Sequence, residues 1–160
     1  MTGPAGPAPT AVGSRFLAGL PAAGRERLLA HGRPVTFPAG ARLFEEGRRA
    51  DRFWVIRSGT VALDLHVPGR RAMVVETLPP GELLGWSWLF PPYAWQLGGA
   101  ALGPVTAVEF DATAVRALCE RDAALGHAVC RQVAETIARR LRSSRRRLLD
   151  VYGPYGSGAG

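Results

Sequence analysis

The sequence predicts a mainly β domain flanked by helices: an antiparallel barrel or sandwich, with short helices before it and a long helix after it. Between Arg33 and Asp111 apolar residues recur with period two, in short runs broken by glycine and proline. Before Arg33 and after Asp111 the period is 3.6. The chain has 160 residues, 47% of them apolar, which suffices for one domain with its own core.

The opening MTGPAGPAPTAVGS (1–14) has neither the basic start nor the apolar run of a signal peptide and reads as a disordered tail. RFLAGLPAAGRERLLAHG (15–32) reads as one or two short helices. Phe16, Leu17, Leu20, Leu28 and Leu29 form the apolar face, Pro21 interrupts it, and His31 and Gly32 close it. RPVTF, ARLFEEG, RFWVIRSG, TVALDLHV, AMVVETL and VTAVEF then read as strands, and PAG, EGRRAD, RSG, VPGRR, LPPG and LGP as the turns between them. Trp54, on a strand, is expected in the core. In TVALDLHV, strict alternation would put Val61, Leu63 and Leu65 on one face and Ala62, Asp64 and His66 on the other.

At Asp111, a candidate N-cap, DATAVRALCERD begins a helix. A long helix follows over 123–152, ended by Gly153, and PYGSGAG reads as a loose tail. The long helix carries a heptad seam of about three repeats. One position holds His127, Ala134, Leu141 and Leu148; the other holds Cys130, Ile137, Ser144 and Val151. Such a seam fits a helix lying on its own domain or a pair of helices from two chains.

The formal charge is +7 and every basic residue is arginine. An arginine-only, Ala/Gly/Pro-rich composition is also what a GC-rich genome produces, so net charge alone names no partner. The charge is local, however. Residues 131–147 hold Arg131, Arg139, Arg140, Arg142, Arg145, Arg146 and Arg147 against Glu135 alone, with Glu135 and Arg139 spaced as an i, i+4 pair. That density suits either a solvated helix face or an acidic partner such as nucleic acid phosphate. Two cysteines, Cys119 and Cys130, make no disulfide framework and are expected as reduced thiols in a cytoplasmic protein.

No catalytic set stands out. Glu45 and Glu46 lie by a turn. His127, Cys130 and Cys119 match no strong metal spacing. No Gly-rich loop of the P-loop or dinucleotide type is present. The sequence reads as a non-enzyme with no metal site.

The unusual stretch is GELLGWSWLFPPYAWQLGG (81–99). Three of the four tryptophans, Trp86, Trp88 and Trp95, fall within it, and no charged residue occurs between Glu82 and Glu109. Pro91, Pro92, Gly98, Gly99, Gly103 and Pro104 rule out a membrane-spanning helix there.

GARLFEEGRRADRFWVIRSGTVAL (40–63) resembles the front half of a cyclic-nucleotide-binding domain of the catabolite-activator type. The residues that match are Gly40, Leu43-Phe44, Glu46-Gly47, Asp51, Phe53 to Ile56, Ser58-Gly59 and Val61. PPGELLGWSWLF continues the likeness into that family's phosphate-binding cassette. The resemblance covers roughly 15–151. It implies an antiparallel, jelly-roll-like β-roll over 15–111, then a hinge helix and a long Arg-rich C-terminal helix over 112–152, between tails at 1–14 and 153–160.

By resemblance the cassette ligand, cyclic AMP or cyclic GMP, would meet Gly81, Gly85, Trp86, Ser87, Trp88, Trp95 and Gln96. The family's ribose-binding glutamate follows the second cassette glycine, where this chain has Trp86. Its phosphate-binding arginine falls near Trp95 or Gln96. Both charges are replaced. Backbone N–H groups of residues 85–88 remain to meet an anion, and Arg70, Arg71 or an arginine of a partner's C-terminal helix could complete the site. Trp86, Trp88, Phe90, Tyr93 and Trp95 would line a pocket for a planar ligand or fill it.

The resemblance further implies a homodimer through the long helix at Ala134, Ile137, Leu141 and Leu148. The chain stops within ten residues of Asp150, so no helix-turn-helix is expected, and output would pass to another protein or act through the Arg-rich surface, by non-specific nucleic-acid binding, rather than through sequence-specific DNA binding. Two functions stay open: a regulatory effector-binding module signalling through a dimerising C-terminal helix, or a ligand-free domain serving dimerisation or docking.

Overall fold

The computed structural model describes residues 13–152; the two expected tails lie largely outside them. Ser14, assigned to the tail by sequence, is buried, and its hydroxyl accepts a hydrogen bond from the Leu17 N–H at 3.2 Å. It thereby caps the first helix, α1 (Arg15–Ala18), and α2 (Ala22–Leu29) follows after Pro21.

The period-two region forms eight strands: β1 (Gly32–Phe37), β2 (Arg42–Phe44), β3 (Arg52–Ser58), β4 (Val61–Leu65), β5 (Met73–Leu78), β6 (Leu83–Leu84), β7 (Gly98–Ala101) and β8 (Val105–Asp111). They pair antiparallel in two four-stranded sheets, ordered β1-β8-β3-β6 and β2-β7-β4-β5. This is the β-roll that the resemblance implied. Sequence reading missed β6 and β7.

Central strand β3 is buried on both faces. Phe53 faces the helices, stacked on Phe110 at 4.8 Å and edge-on to Phe16 at 6.2 Å. Trp54 faces the interior between the sheets, against Phe44 at 5.7 Å, and is core as expected. Its indole N–H donates to Glu109 at 2.9 Å. Glu109 is itself buried and accepts from Arg33 and Arg52 as well.

Burial along β4 does not alternate. Val61, Ala62, Leu63 and Asp64 are all buried, whereas Leu65 is 37% exposed. The β4–β5 pairing shifts register between Leu63 and Asp64, where the extra residue, Val75, lies on β5, while β4 keeps an unbroken register with β7 through Asp64. Asp64 is tolerated inside because it accepts from the Arg42 guanidinium. That bond, with a second that Arg42 donates to Glu45, raises the pKa of Arg42.

Asp111 caps α3 (Ala112–Arg121) by accepting from the Ala114 N–H at 2.8 Å. The long helix α4 (Ala123–Tyr152) runs back over the roll. Its buried residues are Leu125, Val129, Val133 and Thr136, a face that packs on α1, α2 and the helix side of the core. That is not the predicted seam. His127, Cys130, Ala134, Leu141, Ser144, Leu148 and Val151 are exposed, and only Ile137 of that set packs on the core. Leu125, Val129, Val133 and Thr136 thus seat the helix on its own roll, and the heptad residues other than Ile137 do not. Beyond Arg140 the helix is mostly exposed.

Candidate functional site

The aromatic stretch 81–99 folds as a short strand, a glycine turn and a 3-10 turn. β6 pairs with β3 through Leu84 and Leu83, and the chain turns at Gly85 into one 3-10 turn, Ser87–Leu89. Gly85 holds φ +96°, and a Cβ there would lie 2.7 Å from the Trp95 ring. The indole of Trp95 therefore rests on backbone that only glycine leaves bare. It is 5% exposed and stacks on Phe44 at 4.2 Å. Its backbone is also tied: Trp95 N–H donates to Arg48 O and Gly47 N–H donates to Trp95 O, both at 2.8 Å.

Five of the expected cassette residues, Gly85, Trp86, Ser87, Trp95 and Gln96, line one cavity of about 40 Å³ together with Phe44, Leu63, Leu97 and Arg140. Two do not. Gly81 sits in the turn before β6 at φ +91°, its N–H donating to Ile56 O at 2.7 Å. Trp88 is fully buried, stacked on Phe53 at 4.0 Å with its indole N–H on Gly85 O at 3.0 Å. It points to the helix side of the sheet, away from the cavity. The aromatics thus divide by role. Trp88 is core, Trp95 fills the cassette, and half-buried Trp86 and exposed Phe90 lie 6.4 Å apart at the rim. Tyr93 holds φ +55° beneath the Arg116 guanidinium, 4.5 Å from its ring centroid.

A cavity of about 10–15 Å³ admits one water. The cassette cavity, about 40 Å³ and half-enclosed, therefore has room inside for a few waters or a small anionic head group, less than a whole nucleotide occupies.

Arg140 is the residue that sequence reading passed over. It reaches the cassette from α4 of the same chain, is 12% exposed, and donates through Nη2 to the Leu83 carbonyl. Glu82 lies 3.8 Å from it. Arg139 donates to the same carboxylate at 3.3 Å, so it does not pair with Glu135, which Arg131 takes instead. Burial lowers the Arg140 pKa, an effect that Glu76 and Glu82 oppose. Among the described residues its Nε is the one buried side-chain N or O atom with no hydrogen-bond partner. Arg70 and Arg71 are exposed in the β4–β5 connection and line no part of the cavity. From α3, Arg116 donates to the Trp88 carbonyl at 2.6 Å. Nothing in the sequence separated Arg140 from its six arginine neighbours, because which of them meets the cassette depends on how α4 is rotated against the roll.

Elsewhere, no group of three or more His, Cys, Asp or Glu side chains among the described residues is placed to hold a metal ion. Cys130 is exposed, and burial pushes the half-buried Cys119 thiol up to about 11. No helix among the described residues is long and apolar enough to cross a membrane.

Residues 34–122 match the family model of the cyclic nucleotide-binding domain. A "CRP-like cAMP-activated global transcriptional regulator" of Mycobacterium tuberculosis is 29% identical over 119 residues, which are 74% of this chain and 51% of that protein. The chain thus spans about half the length of the curated relatives it matches. The N-terminal domain of a transcriptional regulator from Streptomyces coelicolor is 28% identical, with a TM-score of 0.66 over 88% of this chain and 96% of that one. The Thermus thermophilus catabolite activator protein, at 24% identity, shares the fold with a TM-score of 0.67 over 86% of this chain and 62% of its own. With the two-sheet roll, the cassette turn and the two C-terminal helices in place, the match over 34–122 makes this chain a member of the cyclic nucleotide-binding domain family.

Proposed function

We propose that the chain is a regulatory module in which the state of the cassette is transmitted to the C-terminal helices. One observation carries this reading: arginines from both helices grip the cassette backbone or the residue beside it. Arg116 of α3 holds the Trp88 carbonyl, Arg140 of α4 holds the Leu83 carbonyl, and Arg139 holds Glu82. Any group that enters the cassette shifts the atoms these guanidiniums hold, and so shifts the helices. A cyclic nucleotide is the first effector to test, since the Mycobacterium tuberculosis relative is described as cAMP-activated. Exposed Ala134, Leu141 and Leu148 on α4 support output through a second copy of the helix.

Beside Trp95 the cavity encloses less than a whole nucleotide, and no acidic residue stands at Trp86 to hold a ribose. Cyclic AMP and cyclic GMP are therefore expected to bind at concentrations well above low micromolar. Tryptophan emission reports this directly, because Trp86 and Trp95 line the cavity. A saturable change with either nucleotide supports the effector reading. No change up to millimolar concentration removes cyclic nucleotides as the effector. The second reading, a sealed domain used for dimerisation or docking, draws on the close packing of Trp95 against Phe44 and Gly85. It requires a dimer or partner complex that no small molecule alters.

A further inference from the structure

The cassette cavity is walled mostly by apolar and aromatic groups, and Arg140 is its sole charged lining residue. Charges around that guanidinium do not balance. Arg139 and Arg140 share Glu82, and Arg147 lies 3.8 Å from Glu76. Three guanidiniums thus face two carboxylates, leaving one positive charge in excess beside a half-enclosed cavity. Arg140 uses Nη2 on a backbone carbonyl, and its Nε is buried with no acceptor among the described residues. A buried donor on a cation normally finds an acceptor, and the best acceptor for a guanidinium edge is an oxyanion held by two N–H groups. The cavity holds no carboxylate to play that part, and its volume of about 40 Å³ matches a head group rather than a whole nucleotide. Ser87 adds a hydroxyl to the lining.

We propose that Arg140, carried by α4, pairs with the oxyanion head group, phosphate or carboxylate, of the cassette's effector, and that this pairing competes with Glu82 and Leu83 O for the same guanidinium. Binding would then reset the seat of α4 through the residue that senses the ligand. The proposal rests on the effector reading above and can fail separately from it.

The test titrates the full chain with inorganic phosphate, acetate, cyclic AMP, cyclic GMP and uncharged adenosine, following tryptophan emission and thermal stability. Wild type and Arg142→Gln are expected to agree, since Arg142 is exposed on the same helix and absent from the lining. Arg140→Gln is expected to weaken binding of the anionic probes about 10- to 100-fold, the range set by a charge-assisted hydrogen bond. Response to phosphate alone identifies a free oxyanion, to acetate alone a carboxylate, and to cyclic AMP or cyclic GMP alone a nucleotide head group; each supports the pairing if Arg140→Gln weakens it to that extent. Equal affinity in wild type and Arg140→Gln overturns the Arg140 assignment and leaves the effector reading standing. So does a wild type that answers adenosine and none of the anions. A wild type that answers no probe overturns the pairing and removes cyclic nucleotides as the effector. Should Arg140→Gln fail to fold, Arg140→Lys decides the matter: it keeps the charge and loses the forked donor. It is expected to bind the anions several-fold more weakly, and wild-type affinity would overturn the proposal.

Discussion

The indole of Trp95 stacks on Phe44 at 4.2 Å, lies over Trp54 at 6.0 Å, and takes the space a side chain on Gly85 would need. Removing so large a buried ring leaves a cavity the tied backbone cannot close. Trp95→Ala is expected to lower stability by about 3–5 kcal/mol in urea denaturation, and a loss below about 1 kcal/mol would show the ring is not core. Gly85→Ala adds a methyl group at positive φ against the same ring and is expected to cost about 1–3 kcal/mol. Glu109 is a different case. Arg33 and Arg52 are more than half exposed and regain water when the carboxylate goes, whereas the Trp54 N–H is left buried without an acceptor. Glu109→Ala should therefore cost about 1–3 kcal/mol, close to the penalty for one stranded donor. Cys119 ties stability to alkaline pH. Its folded pKa of about 11 lies above the ordinary 9.0, so the unfolded chain loses this proton first. Its contribution is complete below about pH 9 and is lost as pH rises toward about 11. Cys119→Ala is expected to flatten that part of the stability profile; an unchanged slope would remove Cys119 as its source.

At the scale of the element, α4 has two parts with different duties. Up to Arg140 it is bound to the roll by Leu125, Val129 and Val133 and by the Arg139 and Arg140 contacts. Beyond Arg140 it is held to β5 by Arg147, which donates to Val75 O, while Leu141, Leu148, Leu149, Val151 and Tyr152 are at least 50% exposed. Single exposed apolar residues need no explanation, but this many on one helix end point to a covering surface. If a second α4 supplies it, the double variant Leu141→Glu, Leu148→Glu should sediment as a monomer while wild type sediments as a dimer, with the urea midpoint of the isolated fold little changed. A monomeric wild type would end that assignment. Cassette strand β7 shows why element reading faltered. Its sequence, GGAA, lacks β-branched and aromatic residues, and yet it pairs with both β2 and β4. A Cβ on Gly99 would lie 2.5 Å from the Phe44 ring, so the glycine is there to let an aromatic from the next strand approach. Propensity scores count such a residue against a strand.

At the scale of the molecule, the helices and the roll share one core. Phe16 of α1 meets Phe53 of β3, Gly24 of α2 packs under Leu125 of α4, and Trp88 of the cassette joins the same cluster. The four tryptophans lie in the roll and cassette, whereas far-ultraviolet dichroism at the helix minima reports mainly on the helices. With a continuous core the two signals should fall together on heating or in urea, as two-state unfolding requires. Separate transitions would show that α4 detaches first.

Local sequence set the strand-and-turn order before the cassette, the Asp111 cap and the extent of the long helix, and with them the family fold. These are local or short-range matters, set by periodicity, by glycine at fixed turn positions, and by residue identity within a motif. The tertiary structure decided three things the sequence left open. Trp95 fills the cassette, Trp88 turns into the core, and Arg140, alone among seven arginines of one helix stretch, lines the cavity. Each depends on the rotation of one element against another. A rotation of about 100° per residue separates neighbours on a helix, so composition fixes the charge of α4 while only packing against the roll fixes where each charge points.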